Sequence, residues 1–253
     1  MRWANDLRAA SRILKLAAHL ILGVVWTLYY RNASAKRRDE VIRRWLAGVG
    51  RILNLHVERA GQNPCASALW AVNHVSWLDI PLLGGLHPGA RFLSKAEVAG
   101  WPLIGWLARH AGTLFIRRGA GMAEAQQAMT DALLAGKTVV LFPEATTTDG
   151  RQVRRFFPRL FASAAGARLA VQPVTIRYVD EQGCRDPRIA YIDDMTLWQS
   201  LWQIARVPQP RVHLEFSPPF CVPQSRTDAA RLAESAVREV LEQPTRPLRE
   251  QEP

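Results

Sequence analysis

Cysteine is scarce in this sequence. Cys65, Cys184 and Cys221 are the three in 253 residues, and they stand far apart without a repeated spacing. That count argues against a disulfide framework or a thiolate metal cluster and suits a reducing compartment such as the cytosol. Long clean apolar runs are also missing. The most hydrophobic stretch, ILKLAAHLILGVVWTLYY at 13–30, is interrupted by Lys15 and His19, and its clean part runs from Leu20 to Tyr30. A spanning helix needs roughly 20 apolar residues, so this segment is at the margin. A hydrophobic fraction of 48% is too low for a polytopic membrane protein. Acidic residues are in deficit, 22 against 33 Lys and Arg, for a net charge of +11. Such a charge draws polyanions. No zinc spacing, aromatic RNA-binding pattern or heptads behind a basic region is present, which argues against nucleic acid as partner. An anionic membrane surface or an acidic substrate remains. No small-residue cleavage site follows 13–30, so a cleaved signal peptide fits poorly. No G-x-S-x-G nucleophile motif occurs either.

What is present reads as one α/β domain behind a membrane-contacting segment. Residues 1–55 form that segment. The 13–30 stretch is expected as a helix lying in or dipping into one leaflet, with Trp26, Tyr29 and Tyr30 at the interface and basic residues on both flanks. DEVIRRWLAGVGRIL (39–53) has apolar residues at helical spacing, and Asp39 and Glu40 suit its first turn. Residues 56–243 then alternate strand and helix signals. Strands are expected at 67–73, 112–118, 138–144, 169–179 and 211–217; helices at 122–136, 155–167, 195–206 and 227–243. Gly136 is placed to end the 122–136 helix. This order implies a mostly parallel mixed sheet covered by helices. Residues 244–253 are expected as a flexible tail.

The run NHVSWLD (73–79) places polar side chains in an otherwise apolar stretch. On one helix His74 and Asp79 point apart, and on one strand they face opposite sides. They meet only if the chain turns between them, with His74 just past a strand and Asp79 near a helix start. Asn73 and Ser76 suit that turn, and Pro81 suits a first helical turn. A carboxylate held against an imidazole fixes its tautomer and lets the other ring nitrogen take a proton from a hydroxyl. Without a nucleophile motif, that hydroxyl belongs to a substrate. Taken alone, the pair fits a structural histidine bonded at a helix start better than a catalytic one. A metal site on His74, Asp79 and His87 or His110 matches no standard zinc spacing, so no metal is expected.

Four blocks together resemble the glycerolipid acyltransferase family, which includes bacterial 1-acylglycerol-3-phosphate acyltransferases. NHVSWLD (73–79) matches N-H-x-S-x-x-D, GTLFIRR (112–118) matches G-x-x-F-I-x-R, FPEATTT (142–148) partly matches F-P-E-G-T-R-S, and VQPVTI (171–176) matches V-x-P-V-x-I. RFLSKAEVAGWPLIGWLARHAG (91–112) also looks like the family's stretch between the first two blocks. The resemblance covers about residues 65–180. It implies transfer of a fatty acyl chain from acyl-CoA or acyl carrier protein to a lysolipid hydroxyl, with no cofactor beyond that donor.

In that reading His74 is the general base and Asp79 its orienter. Arg118, Glu144, Thr146, Thr147 and Lys95 bind substrate, Glu144 alternatively organising its loop or pairing with a basic group, and backbone N–H groups near a helix start steady the oxyanion. Arg117 stands where the family commonly has aspartate. Ala145 stands where it has glycine, and Thr147 where it has an arginine that binds phosphate; that loss weakens phosphate binding unless Arg151, Arg154 or Arg155 substitutes. The default acceptor is 1-acyl-sn-glycerol-3-phosphate. The threonine resembles the branch acting on lyso-ornithine lipid, a close second. The implied location is the cytoplasmic face of the inner membrane, held monotopically or by a single N-terminal helix. A thioester hydrolase and a non-enzymatic lipid-binding protein are the weaker alternatives.

Overall fold

The computed structural model describes residues 2–116, 121–167, 169–222 and 225–243. The expected tail at 244–253 lies outside them. Helix α1 (Arg2–Tyr29) and α2 (Ala35–Leu53) lead into strands β1 (His56–Gly61) and β2 (Leu69–Val72), helix α3 (Asp79–Leu86) and strand β3 (Ala90–Lys95). Then come α4 (Ile104–His110), β4 (Leu114–Ile116), α5 (Met122–Leu134), β5 (Thr138–Leu141), α6 (Ala162–Ala167) and β6 (Ala170–Val179). Helix α7 (Leu197–Arg206), β7 (Arg211–Phe216), β8 (Phe220–Cys221) and α8 (Arg226–Glu242) complete the order. The sheet runs β1-β7-β6-β2-β5-β3-β4, with β8 on β6. It is parallel throughout except where β6 meets β7 and β8, the mostly parallel architecture expected.

Strand β2 explains why both faces are covered. Leu69, Trp70, Ala71 and Val72 are all fully buried, so no side of this central strand meets water. Trp70 and Val72 point into a core shared with α1, α2, α3 and α7, where Leu53, Leu83, Ile176 and Ile204 also lie. Leu69 and Ala71 point into the opposite core, filled by Met129 and Leu133 of α5, Phe156, Phe161, and Ala233 and Val237 of α8.

Several boundaries differ from the expectations. Helix α1 starts at Arg2 rather than near 13, because residues 2–12 contain no breaker. Helix α2 starts at Ala35, a turn before Asp39, since the Ser34 side chain accepts from the Arg37 N–H. It ends at Asn54, whose left-handed backbone (φ 59°) turns its N–H back to Gly50 and Arg51. Residues 155–157 are not helical, for Pro158 opens only a short 3-10 turn before α6. Gly136 does follow the end of α5, with φ 74°.

Helix α1 is long and apolar enough to cross a membrane, and only 17% of its most apolar window is buried in the protein. Trp3, Leu14, Ile21, Leu22, Val25, Leu28 and Tyr29 are exposed, and Trp26 is partly so. Its other face is docked. Arg12 is buried and donates to the carbonyls of Ala205, Val207 and Pro208 at the end of α7, where a cation also meets the helix dipole. His19 Nε2 bonds the Trp45 carbonyl at 2.8 Å, and the Trp45 indole N–H returns a bond to the His19 carbonyl at 2.9 Å. The ring lies over Gly48, where a Cβ would come within 2.4 Å of it. Helix α3 approaches α2 as closely at Gly85, against the backbone of Ala47.

Asp39 is not a first-turn dipole partner. The early start of α2 turns it inward, where it accepts from Arg91 at 2.7 Å and Lys137 at 2.6 Å, tying α2 to β3 and to the start of β5. Burial alone would raise this carboxyl. The hydrogen bonds and charges of Lys137 and Arg91 outweigh burial and hold its pKa below the usual value. A depressed pKa in the folded state adds stability above the unfolded value, about 4, and loses it as pH falls through the folded value. Asp39→Ala leaves two half-covered cations unpaired, so denaturant unfolding at pH 7 should show a loss of about 3 kcal/mol. The gap to the wild-type chain should narrow by pH 3, and a gap that stays constant over that range would count against the pairing.

Candidate active site

The chain leaves β2 at Val72, turns through 73–78 and enters α3 at Asp79. This bend brings His74 Nδ1 to 2.8 Å from Asp79 Oδ2. The same oxygen accepts the backbone N–H groups of Val75 at 2.8 Å and Ser76 at 3.0 Å. The second oxygen, Oδ1, accepts the Tyr178 hydroxyl at 2.7 Å. Asp79 has no solvent exposure, while the His74 side chain keeps 17% of its own. That exposure opens onto a cleft of about 1700 Å³, with Nδ1 engaged by Asp79 and Nε2 the remaining ring nitrogen. Phe142 stacks on the imidazole with ring centroids 3.9 Å apart and planes 15° apart.

The backbone around His74 is pinned from several sides. Its N–H donates to Glu144 Oε1 at 2.9 Å, and its carbonyl accepts from the Thr148 N–H at 2.8 Å. The Val75 carbonyl accepts from the Tyr191 N–H at 2.9 Å. Asn73 is not a turn residue. It is buried, and its amide bonds both the N–H and the carbonyl of Ile176 on β6 at 2.7 and 3.0 Å. The N–H groups of Val75 and Ser76 are taken up by Asp79, and those of Asp79 and Ile80 by the carbonyls of Ser76 and Trp77. None of these four N–H groups is therefore left over for an oxyanion.

Of the other expected residues, Lys95, Thr146 and Thr147 line the cleft with His74. The Thr147 hydroxyl donates to the Tyr191 carbonyl. Glu144 does not line the cleft. It is 3% exposed, and both carboxylate oxygens are occupied, Oε1 by His74 N–H and Oε2 by Arg154 N–H at 2.7 Å. Its place as a substrate ligand is corrected to that of a loop clamp. Burial raises its pKa, and the two backbone donors offset part of that rise. Arg118 lies outside the described residues, as does Arg117. Of the possible replacement cations, Arg151 and Arg154 line the cleft; Asp149, Asp193 and Asp194 line it too.

His87 and His110 are not brought to His74: His87 packs edge-on against Trp70, and His110 lies against Trp106. Among the described residues no group of three or more His, Cys, Asp or Glu side chains is placed to hold a metal. Sequence reasoning missed Tyr178 and Tyr191. A tyrosine inside an apolar strand is itself a signal, since a buried phenol needs a hydrogen-bond partner.

A family model described as acyltransferase matches residues 55–177. A lyso-ornithine lipid O-acyltransferase of Pseudomonas aeruginosa is 44% identical over 200 residues, 79% of this chain and 76% of that protein. A 1-acyl-sn-glycerol-3-phosphate acyltransferase of Neisseria meningitidis serogroup B is 35% identical over 166 residues, 65% of this chain and 64% of that one. The crystal structure of the 1-acyl-sn-glycerophosphate acyltransferase PlsC from Thermotoga maritima shares the fold. Its TM-score is 0.73 over 96% of this chain and 97% of that one, at 19% identity.

Ala145 is held at φ 56°, in the left-handed region, to turn the loop after Pro143 and Glu144 toward the cleft. A Cβ there is strained by roughly 1–2 kcal/mol, and glycine removes the strain at some cost in unfolded-chain entropy. Ala145→Gly should therefore stabilise the chain by about 0.5–1 kcal/mol, a rise of about 2 °C in Tm by calorimetry. A fall in Tm would contradict the strained assignment.

Proposed function

The chain belongs to the acyltransferase family, and on that premise we propose that it moves a fatty acyl group from a thioester donor to the hydroxyl of a lyso-ornithine lipid. The observation that carries the chemistry is the 2.8 Å contact between His74 Nδ1 and a fully buried Asp79, with the ring open to a large cleft. Asp79 keeps the proton on Nδ1, so Nε2 presents its lone pair to the acceptor hydroxyl. As Nε2 takes that proton, the oxygen attacks the thioester carbonyl. The tetrahedral oxyanion collapses, the C–S bond breaks, and the imidazolium returns its proton to the departing thiolate. The products are the acylated lipid and a free thiol. Because Asp79 occupies the nearby N–H groups, the oxyanion falls to other backbone of the cleft, where Thr146 and Thr147 stand. The donor is acyl-CoA or acyl carrier protein, with no further cofactor.

The charges lining the cleft support this choice of acceptor. A phosphomonoester asks for cations alone, whereas ornithine joined through its α-amine carries both a carboxylate and an ammonium. The cleft supplies both signs: Lys95, Arg151, Arg154 and Arg159 line it with Asp149, which pairs with Arg151, and with Asp193 and Asp194. Threonine at 147, in place of arginine, lowers the positive charge further. Two relatives bearing the lyso-ornithine name are 44% and 41% identical, above the 35% of the Neisseria relatives, while two others with that name are 32% and 29% identical. These points reverse the order of the two acceptors read from the sequence. The second reading, 1-acyl-sn-glycerol-3-phosphate, is favoured by Lys95 at the cleft and by the 35% identical Neisseria relatives. The enzyme works at the cytoplasmic face of the membrane, with α1 in or across the bilayer.

Purified protein supplied with radiolabelled acyl-CoA and acyl carrier protein, and a panel of lysolipids, tests this. Label should pass fastest to lyso-ornithine lipid, and thiol release should require an acceptor. His74→Ala should lower kcat at least about a hundredfold. Thiol release that ignores the acceptor would make the protein a hydrolase. Faster labelling of 1-acyl-sn-glycerol-3-phosphate would favour the second reading.

A further inference from the structure

We propose that Tyr178 is a positioning residue for the His74–Asp79 pair, its hydroxyl fixing the plane in which the buried carboxylate meets the imidazole. The inference rests on the reading of His74 as general base. Asp79 has one oxygen crowded with donors and one that depends on Tyr178. Oδ2 receives the ring nitrogen and two backbone N–H groups, while Oδ1 receives the Tyr178 hydroxyl at 2.7 Å. A carboxylate can turn about its Cβ–Cγ bond. With no solvent at Asp79, a lost donor on Oδ1 leaves an ionic oxygen unanswered and frees that rotation.

Tyr178 is suited to donate and not to ionise. It is 3% exposed. Burial, and then the charge and hydrogen bond of Asp79, push its phenol well above the usual tyrosine value, so the proton stays on. The strand also places it by rule. Val174, Ile176 and Tyr178 share one face of β6, the face packed toward α3. Register puts Val174 beside Val72, so β6 runs on past the end of β2 and alongside the turn. Asn73 locks that overlap by bonding both backbone groups of Ile176, two residues before the tyrosine. One block thus fixes the strand that supplies the donor to its own aspartate.

The test is a kinetic cycle on the full chain with Tyr178→Phe, Asp79→Asn and the double variant, each scaled to folded protein. Tyr178→Phe should lower kcat about tenfold and leave KM for donor and acceptor within about twofold. On the Asp79→Asn background the same change should alter the residual rate by less than about twofold, because no carboxylate remains to be held. Tm values of the four proteins should show the same coupling without relying on activity. Should Tyr178→Phe fail to fold, the double variant against Asp79→Asn alone carries the comparison. Equal losses in both backgrounds, or wild-type kcat in Tyr178→Phe, would overturn the proposal. Transfer by the wild-type chain, measured alongside, reports separately on the acyltransferase reading.

Discussion

A carboxylate sealed from water must be answered by donors from the protein, and Asp79 is the point around which this fold arranges itself. Its position in the first turn of α3 gives it the favourable end of the helix dipole. Two N–H groups of the preceding turn, an imidazole and a phenol then surround it. The donors come from the turn and from β6, 99 residues further along the chain. The local bend that brings His74 to Asp79 therefore requires the central sheet to be assembled. Asn73 makes that requirement specific, because its amide reads the backbone of one residue on β6.

The consequence is a rigidly held imidazole beside an open space. Glu144, Thr148 and Tyr191 hold the backbone of His74 and Val75 from loops at the end of the sheet. Phe142 limits the ring's tilt from the opposite face. In the role proposed for it, a ring fixed in this way would lose little freedom when a hydroxyl arrives. Ala145 at positive φ indicates how strongly the loop shape is imposed. The surrounding bonds keep a strained backbone where glycine would sit without strain.

Much of the frame was legible because local signals agreed. The four apolar residues of β2 marked a central strand, and the polar turn after it marked the bend. The mostly parallel sheet followed from the alternation of strands and helices. What was not legible depended on distant partners. Strand β1 carries His56, Glu58 and Arg59, so its composition resembles a loop until β7 pairs with it. Asp39 near a helix start imitates a dipole partner, and only Arg91 and Lys137 reveal its inward role. His19 looked like a flaw in an apolar run, yet it bonds a carbonyl of the neighbouring helix. In each case a polar side chain gave its type but not its partner. Glu144 belongs to the same class: its motif marked importance, and only geometry separated a clamp from a ligand.

The cleft joins two unlike walls. Helices α1 and α2 supply Leu16, Leu20, Leu46 and Val49, while the loops after β5 and before α7 supply the charged side chains. A polar molecule would leave the first wall unfilled, and a plain hydrocarbon would strand the charges of the second. An amphipathic ligand such as the proposed lysolipid would satisfy both, its apolar part toward α1 and its charged part toward the loops. The same helix whose inner side lines this wall turns an apolar outer side away from the protein. One element thus offers hydrocarbon-compatible surface both outside and at the reacting ring. The proposed acceptor, drawn from a lipid phase, would meet apolar surface along α1 and charge at the loops.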